Sequence, residues 1–421
     1  MPPQQPDVIL VGAGLAGLAC ARDLAGRGLR PLVLEASSRV GGRIVTDTID
    51  GFRIDRGFQV LLTSYPEARR TFDFAALELA SFRSGALVRR GGRNHRVSDP
   101  WRAPWRAFQT LAAPFVSFGD GLRLAQLRRL CVQAPHTAPD GSARAWLEAL
   151  GFSSQLREAF LRPFFSGVTL EPQLEVPARR FARLFGWFST GTAALPANGM
   201  QALPEQLAAG LPEGALRTSA SVAGLDATSV TLASGERWEA SAVVVATDGR
   251  SAARLLQGSE NKGPQLELKF TGTTGLAFAA PASPVPGGLL HLCGDGKAAG
   301  PVVHVSVPSD VHPSYAPADQ ALVVATCTGV PAESDEALEA AVRHQLRGWY
   351  GAEVDAWRLL RLERIPDALP LLDDPVAPLA RPAGGPFVCG DHTQDPSIQG
   401  TLESARRTAE AVSAKLAAIR A

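Results

Sequence analysis

A strand, a glycine-rich turn, a helix and a second strand follow one another at the start of the chain. Residues 7–11 (DVILV) form a short, β-branched apolar run that is typical of a buried parallel strand. The turn at 12–17 (GAGLAG) leads into a helix predicted over 15–26, and residues 31–34 (PLVL) form a second strand that ends at Glu35. This order predicts a βαβ unit on a parallel sheet, and therefore a fold of the α/β class.

Each glycine of the turn has a physical role in binding a dinucleotide. Gly12 permits the tight turn, Gly14 lets the backbone approach a pyrophosphate, and Gly17 lets the helix pack closely on the sheet. The helix begins with Leu15 and Ala16, so its free N–H groups and positive dipole end would face the anion. A glycine-rich turn that binds no nucleotide is the alternative interpretation.

The acidic end of the second strand narrows the choice of nucleotide. Glu35, followed by Ala36, stands where an acidic side chain can bind both ribose hydroxyls of an adenosine. A carboxylate there disfavours a 2′-phosphate, so we expect FAD or NAD rather than NADP.

The segment after Glu35 carries a resemblance to a known family. Gly41-Gly42-Arg43 is followed by GFRIDRG at 51–57. This pattern resembles the glutathione-reductase-type FAD fold, in the branch that holds flavin amine oxidases, protoporphyrinogen oxidases and phytoene desaturases. The resemblance implies that FAD is the cofactor, that Arg43 contacts its phosphates, and that further contacts come from Gly41, Gly42, Gly57, Phe58 and Gln59. For Arg43, the alternative is an ordinary surface charge.

The C-terminal residues complete the same pattern. Residues 386–389 (PFVC) predict a strand that ends at Gly390-Asp391, and 401–421 form an amphipathic helix. The resemblance implies that Gly390 and Asp391 contact the ribityl chain. It also implies that the helix start stabilises negative charge on the reduced ring, with three residues at the isoalloxazine edge, namely Ile398, Gln399 and Gly400. The alternative is a capped surface helix with Asp391 as an ordinary turn residue.

The order of these segments predicts two interleaved domains. Residues 196–204 (PANGMQALP) resemble the family segment that returns the chain to the FAD domain, where Val222 would meet the adenine and Ala246 would lie near the nucleotide. We expect a Rossmann-like FAD domain and a substrate domain of mixed sheet plus helices, α+β overall. The FAD domain would comprise 1–70, 190–255 and 381–421, and the substrate domain 71–189 and 256–380.

Composition excludes several classes of protein. Lys and Arg total 42 and Asp and Glu 41, a balance that argues against a nucleic-acid partner. The five cysteines are scattered without a Cys-x-x-Cys, so we expect reduced, buried thiols in a cytoplasmic protein, no zinc site and non-covalent FAD. No segment is apolar enough for a secretory signal or a membrane span. His291, His304 and His312 are too widely spaced for a metal site, and each is predicted to be a core histidine with its hydrogen bonds satisfied.

The middle of the chain is rich in Phe and Trp. Residues 100–130 combine Trp101 and Trp105 with Arg102 and Arg106, a pattern typical of a peripheral membrane contact. A helical lid over an apolar channel and a packed helix with snorkelling arginines remain alternatives. The chain has 18 Phe and 3 Tyr, which favours an apolar small-molecule substrate.

The reaction is less constrained than the cofactor. No second GxGxxG follows a predicted strand and no redox cysteine pair is present, so an NADH site is not indicated. In amine oxidases, the resemblance would place a lysine within 273–279 and an aromatic residue before Gly390. No lysine stands within 273–279, with which Lys269 is out of register, and residues 384–386 (GGP) contain no aromatic residue.

These departures favour hydride transfer between flavin N5 and an apolar substrate, with C–C desaturation as in phytoene desaturases. The alternatives are oxidation of a C–N bond, as in flavin amine oxidases, and a non-catalytic flavoprotein that binds an apolar ligand. His392 follows Asp391 and is the candidate proton carrier, although it could instead hold the loop by a hydrogen bond.

Overall fold

Two large sheets organise the computed structural model, which describes residues 5–257, 268–372 and 384–420. The strands, in chain order, are β1 Val8–Val11, β2 Pro31–Leu34, β3 Thr46–Ile49, β4 Phe52–Asp55, β5 Leu61–Leu62, β6 Ala80–Ser81, β7 Ala86–Arg90, β8 Arg93–Val97, β9 Ala193–Leu195, β10 Leu216–Arg217, β11 Val222–Leu225, β12 Ser229–Leu232, β13 Arg237–Glu239, β14 Ala242–Val245, β15 Lys269–Ala280, β16 Leu290–Cys293, β17 Val302–Ser306, β18 Ala321–Thr328, β19 Arg358–Leu371 and β20 Phe387–Val388.

Helices cover the sheets and build a separate layer between residues 104 and 190. They are α1 Leu15–Gly26, α2 Pro66–Thr71, α3 Ala107–Leu111, α4 Phe118–Gln133, α5 Ala143–Ala149, α6 Ser154–Leu156, α7 Arg162–Thr169, α8 Ala178–Thr190, α9 Ala202–Ala209, α10 Gly249–Gln257, α11 Pro308–Val311, α12 Asp335–Tyr350 and α13 Ile398–Arg420.

The first large sheet is parallel and five-stranded, in the order β10-β2-β1-β14-β20. Its central strands are buried on both faces, which explains their continuous apolar runs. Along β1, Val8 and Leu10 face the core shared with α1 and α13, whereas Ile9 and Val11 face the small sheet β11-β12-β13 and α10. We call this the cofactor sheet, and its helices aim their N-termini at the carboxyl ends of the strands.

The second large sheet is mixed and seven-stranded, in the order β19-β15-β18-β17-β16-β7-β8. Its outer face packs against α12, where Leu338, Val342 and Leu346 lie at the spacing that the sequence predicts. Ser334 caps that helix by accepting a hydrogen bond from the Ala337 N–H, also as predicted. The opposite face, which we call the inner face, carries Ala277 and other residues that pack into the core of the cofactor sheet.

The predicted fold class is confirmed, and the strands show how the chain alternates between the two sheets. Every strand of the cofactor sheet falls within 1–70, 190–255 or 381–421, and every strand of the seven-stranded sheet within 71–189 or 256–380. The exact domain boundaries stay a prediction, and the one at 380–381 lies outside the described residues.

Candidate functional site

The glycine-rich turn leaves room for a ligand at one glycine only. Gly12 has φ +107°, and a Cβ on it would lie 3.0 Å from the Ala246 carbonyl oxygen. A Cβ on Gly17 would lie 1.9 Å from the Gly12 oxygen, so close packing within the chain itself requires both glycines. A Cβ on Gly14 would meet nothing nearer than the Gly41 oxygen at 4.0 Å. Gly14 therefore borders open space, as a residue that faces a ligand should.

Helix α1 starts at this open space without a cap of its own. Gly14 is its N-cap residue, no side chain accepts a hydrogen bond there, and the first turn contains no acidic residue. The amides of Leu15 and Ala16 are therefore free to bind an anion, and the helix dipole adds positive potential. The residues present fit the pyrophosphate of a dinucleotide.

The Glu35 carboxylate is fixed at the end of β2. Its Oε2 accepts a hydrogen bond from the Ala13 N–H at 2.7 Å, and its Oε1 accepts from the Ser37 N–H and hydroxyl, each at 2.9 Å. The Ala220 N–H donates to the Glu35 carbonyl oxygen, so the chain leading to Val222 runs beside the carboxylate. Glu35 and Val222 are thus brought to one edge of the sheet, where the adenosine contacts are predicted, with Ala36 exposed next to them.

Arg43 connects the two ends of the chain. Its Nη2 lies 2.6 Å from Oδ1 of Asp391, and its Nη1 donates to the Ala368 carbonyl oxygen at 2.9 Å. Burial raises the pKa of the Asp391 carboxyl, but the attraction of Arg43 outweighs it and holds that pKa well below its usual range. The alternatives of a plain surface charge at Arg43 and an ordinary turn residue at Asp391 are therefore wrong. A phosphate contact of Arg43 and a ribityl contact of Asp391 stay predictions.

The turn that holds Arg43 lies against the glycine-rich turn. The Gly41 N–H donates to the Ala13 carbonyl oxygen at 2.9 Å, and both Gly41 and Gly42 have positive φ. A Cβ on Gly41 would lie 2.3 Å from the Ile44 oxygen, so a larger residue would open the turn. The two turns together form one wall of the predicted pyrophosphate site.

Gly57, Phe58 and Gln59 join the cofactor sheet to the inner face. A Cβ on Gly57 would lie 3.1 Å from Cδ1 of Ile365 and 3.9 Å from Cγ2 of Thr273. The amide of Gln59 donates to the Arg43 carbonyl oxygen at 3.1 Å, which ties this segment to the phosphate turn. The structure thereby brings together residues 41–43 and 57–59, for which the sequence predicts cofactor contacts.

The start of α13 carries the three residues that are predicted at the isoalloxazine edge. Oε1 of Gln399 accepts a hydrogen bond from the Glu67 N–H at 2.9 Å, so this side chain points to α2. A Cβ on Gly400 would lie 2.1 Å from the Asp395 carbonyl oxygen, so the local turn itself requires this glycine. Ile398 is the half-buried first residue of the helix. Contacts of all three with the isoalloxazine edge stay predictions.

His392 is buried on the side of Gly390 that faces α10. A Cβ built on Gly390 would lie 2.7 Å from the ring of His392. A Cβ built on Gly249 would lie 3.2 Å from the Cβ of His392. Nδ1 is 3.9 Å from Oδ1 of Asp391, too far for a hydrogen bond. Neither ring nitrogen has a hydrogen-bond partner among the described residues, so the alternative loop-holding role lacks its bond there. A role in proton transfer stays a prediction.

Sequence reasoning missed a polar cluster on the inner face. His304 and Thr326 are paired across β17 and β18, Ser306 lies two residues beyond His304, and the ring of His304 packs edge-on against Phe58 at 5.1 Å. Both ring nitrogens and both hydroxyl oxygens are buried without a hydrogen-bond partner in the described part of the chain. Burial lowers the pKa of His304 to about 4, so the ring is neutral at physiological pH.

The prediction of a satisfied core histidine is therefore wrong for His304. It is confirmed for His291, whose Nδ1 lies 2.5 Å from the Tyr350 hydroxyl. His312 is bonded to Ser314 through Nδ1 but is only half-buried, so it is not a core residue. The alternation of side chains along β17 (VVHVS) could have indicated this cluster, because residues two apart, such as His304 and Ser306, lie on the same face of a strand.

The strand position that faces Gly57 is occupied by Thr273. Its hydroxyl donates to the Cys327 carbonyl oxygen at 3.0 Å, and Lys269 lies exposed at the start of β15. The segment 273–279, which contains no lysine, thus begins at the wall opposite Gly57.

Three general features of the described residues bear on function. Within 5–257, 268–372 and 384–420, no group of three or more His, Cys, Asp or Glu is placed to hold a metal ion. No helix in these ranges is long and apolar enough to cross a bilayer. The five cysteines are buried and unbridged, as predicted.

Comparison with known proteins places this site in a family. The family model for flavin-containing amine oxidoreductases matches residues 15–413. Curated relatives match over shorter stretches. Putrescine oxidase of Kocuria rosea is 43% identical over 83 residues, 20% of this chain and 17% of that protein. Pseudooxynicotine dehydrogenase of Pseudomonas sp. is 45% identical over 51 residues, 12% of this chain and 10% of that protein. The matched stretch thus spans less than a fifth of either relative.

Solved structures resemble the fold over nearly the whole chain. An oxidoreductase from Methanosarcina mazei superposes with a TM-score of 0.75 at 18% identity, covering 96% of this chain and 99% of that one. Cyclohexylamine oxidase from Brevibacterium oxydans IH-35A superposes with a TM-score of 0.69 at 19% identity, covering 98% and 99%. With a family match from α1 to α13 and a dinucleotide site built from both ends of the sequence, the chain belongs to the flavin-containing amine oxidoreductases and is an FAD-dependent oxidoreductase.

Proposed function

We propose that this protein oxidises the carbon–nitrogen bond of an apolar amine. The observation that carries this proposal is the contact next to Gly57 in which Phe58 packs edge-on against the neutral ring of His304. Family membership supports it, as do relatives named putrescine oxidase and cyclohexylamine oxidase. The proposal replaces C–C desaturation, which the sequence alone favoured, as the first candidate.

The aromatic surrounding of Phe58 suits the form of an amine that can be oxidised. Oxidation removes a hydrogen and its electron pair from the carbon next to nitrogen, and the nitrogen lone pair stabilises the cation that forms. The reactive species is therefore the neutral amine, which an apolar surrounding such as Phe58 and Phe82 favours over the ammonium ion. FAD, when bound, supplies the two-electron acceptor.

The His304 cluster, defined as His304, Ser306 and Thr326, would orient the amine. A neutral imidazole carries one N–H donor and one acceptor nitrogen, and each hydroxyl can both donate and accept. Because none of these groups is satisfied by the described residues, a bound polar group would gain hydrogen bonds without breaking existing ones. We assign these residues a positioning role, since the structure places them beside Phe58 rather than beside a reacting atom.

Desaturation of an apolar C–C bond is the second candidate. Aromatic rings of α7 and α8 form a continuous apolar cluster, with Phe164, Phe165, Phe181, Phe185 and Phe188 at centroid separations of 4.5–6.2 Å. An apolar cluster of this kind suits a hydrocarbon substrate, and residues 273–279 lack the lysine that the resemblance implies for amine oxidases.

The cysteines bear on how FAD is attached and on where in the cell the protein is located. Cys389 is the cysteine nearest Gly390, and it is fully buried and hydrogen-bonded to Cys20. We therefore propose non-covalent FAD, released on acid precipitation of the protein. Buried, unbridged thiols also suit a reducing compartment, so we propose a cytoplasmic location.

An anaerobic absorbance titration tests the proposed reaction. Purified holoprotein is mixed with a panel of primary and secondary apolar amines, and in parallel with a polyisoprenoid in detergent, while the oxidised flavin band is followed. Bleaching by an amine alone supports C–N oxidation. Bleaching by the polyisoprenoid alone overturns it in favour of desaturation. Bleaching by neither, with dithionite still reducing the flavin, would support a flavoprotein that only binds its ligand.

A further inference from the structure

Large apolar side chains are exposed together on α3, α4 and the residues before them. Phe118 is 75% exposed and Trp105 69%, and the whole set, called here the apolar face, consists of Trp101, Trp105, Phe108, Leu111, Phe118 and Leu122. Three further large apolar residues are exposed in the described chain: Val132 near the end of α4, and Val330 and Ile419 outside this segment. Contiguous exposure of this kind marks an interaction surface, whereas scattered residues do not.

The charge around the apolar face is positive. Residues 100–133 contain a single acidic residue, Asp120. Its carboxylate is fully buried and accepts hydrogen bonds from Ser117 and Ser153. Arg123 and Arg129 hydrogen-bond to neutral acceptors of the described chain, the Leu150 carbonyl oxygen and the Gln133 amide oxygen. Their charge is therefore not cancelled locally, although the chain as a whole is nearly neutral.

The apolar face is held in place by specific contacts. Arg102 donates to the Ser84 hydroxyl at 2.7 Å and to the Gly191 carbonyl oxygen at 2.5 Å, which anchors the segment to the end of α8. The guanidinium of Arg128 stacks on Trp101 at 4.9 Å. Exposure of these side chains is thus built into the fold.

We propose that the apolar face binds the surface of an anionic lipid bilayer. Trp and Phe side chains favour the interface between headgroups and acyl chains, and neighbouring arginines favour anionic phosphates. A second copy of this chain is a poorer occupant, because a symmetric contact would bring the same uncompensated arginines together. Since the contact is confined to side chains of short helices, binding should be reversible and sensitive to salt.

The helices that carry the apolar face pack against the helices next to the candidate site. Helix α4 packs on α8, and Phe188 of α8 lies 5.1 Å from Phe164 of α7. A Cβ on Gly167 of α7 would touch the His304 ring at 2.5 Å. The apolar face therefore belongs to the same group of packed helices that lies against the wall of the candidate site.

Cosedimentation with vesicles tests the proposal. Holoprotein is spun with vesicles of phosphatidylcholine containing 30% phosphatidylglycerol, and with vesicles of phosphatidylcholine alone. We expect binding to the anionic vesicles and at least tenfold weaker binding without phosphatidylglycerol or in 0.5 M salt. The variant Trp105→Ser/Phe108→Ser/Phe118→Ser should bind at least tenfold more weakly, and Arg129→Glu severalfold more weakly.

Matched variants distinguish lipid binding by the apolar face from unspecific adsorption and from self-association. Val330→Ser/Ile419→Ser removes exposed apolar residues elsewhere, Arg254→Glu reverses an exposed charge on α10, and both should bind like the parent. Flavin content and melting temperature should not change in any variant. No binding of the parent to anionic vesicles overturns the proposal. A parent dimer that dissociates in the triple variant, without vesicle binding, would identify the apolar face as an interface between copies.

Discussion

The guanidinium of Arg43 and the carboxylate of Asp391 lie 2.6 Å apart, although 348 residues separate them in sequence. Arg43 follows the turn that packs on the N-terminus of α1, and Asp391 follows the last strand of the cofactor sheet. The pair therefore fastens the first and last segments of the cofactor domain to each other, directly beside the predicted phosphate site. A ligand bound there would meet a preformed, charged corner rather than a flexible loop.

Breaking this pair should destabilise the protein strongly. Arg43→Gln leaves the nearly buried Asp391 carboxylate without its cation, and we expect a loss of about 2–3 kcal/mol. The value lies at the low end because more than a third of the Arg43 side chain is exposed. Urea denaturation measures it. The double variant Arg43→Gln/Asp391→Asn should be no less stable than Arg43→Gln, since the unpaired charge is gone. Arg250→Gln, which breaks an exposed pair with Asp367, should change the stability far less, because solvent screens that pair.

Gly14→Val should abolish FAD binding without unfolding the chain. The new side chain meets no protein atom closer than 4.0 Å from its Cβ, so it fills only the space that faces the ligand. Flavin absorbance per protein and circular dichroism of the purified variant measure the two effects. Gly26→Val is the matched control on the same helix, because its Cβ also meets nothing and it lies at the far end. Full flavin content in Gly14→Val would contradict the assignment of the turn.

Glu35→Ala tests the other end of the dinucleotide. It removes the acceptor of three hydrogen bonds and the predicted partner of the ribose hydroxyls, so we expect FAD affinity to fall at least tenfold. Fluorescence of released flavin during dilution measures the dissociation constant. Glu236→Ala, which removes an exposed carboxylate paired with Arg217, should retain the parent value.

Removing a hydroxyl of the His304 cluster should weaken substrate binding more than it changes the stability of the protein. Thr326→Val removes a buried hydroxyl without a partner in the described chain, so stability should be equal or higher. If the cluster orients the amine, the KM for the amine that bleaches the flavin should rise about five- to tenfold. Thr274→Val is the matched control on the opposite face of the sheet. It loses a bond to the Gly329 carbonyl oxygen and should cost about 1 kcal/mol with KM unchanged. An unchanged KM in Thr326→Val would remove the hydroxyl from the proposed role.

Asp55 should make stability fall as pH rises. Burial raises the pKa of its carboxyl to about 6, despite hydrogen bonds from Thr46, Met200 and Tyr315. Because the folded pKa lies above the unfolded value of 3.8, the protonated form stabilises the fold below pH 4, and this contribution is lost as pH rises through 6. Asp55→Asn should therefore gain on the parent between pH 4 and 7, by on the order of 3 kcal/mol. Thermal denaturation across that range checks the sign.

A control carboxylate should behave differently. Burial raises the pKa of Asp226, but hydrogen bonds from Thr228 and Ser229 outweigh it and lower the pKa. Asp226→Asn should therefore show a constant difference from the parent above pH 5. A stability difference for Asp55→Asn that does not change with pH would contradict the raised pKa.

Much of the cofactor site followed from residues close together in sequence. The strand, the turn at 12–17, α1 and β2 were predicted correctly, because glycine positions and apolar runs specify local backbone conformation. The chain that leads to Val222 is divided into β10 and β11, since Ser219 adopts φ +54° and turns the chain between them. A single strained residue of this kind leaves no clear signal in composition.

The individual contacts of the site depended on distant parts of the chain. The sequence placed Gln399 at the start of a helix, but it gave no sign that its amide oxygen accepts a hydrogen bond from the Glu67 N–H of α2. His304 was predicted to be satisfied, but the strands beside it supply no partner among the described residues. The sequence by itself determined the cofactor fold, because short-range spacing dictates a turn and a helix start. Only the tertiary structure decided which side chains meet, as Arg43 does Asp391 and Phe58 does His304, because those partners are set by how whole sheets pack.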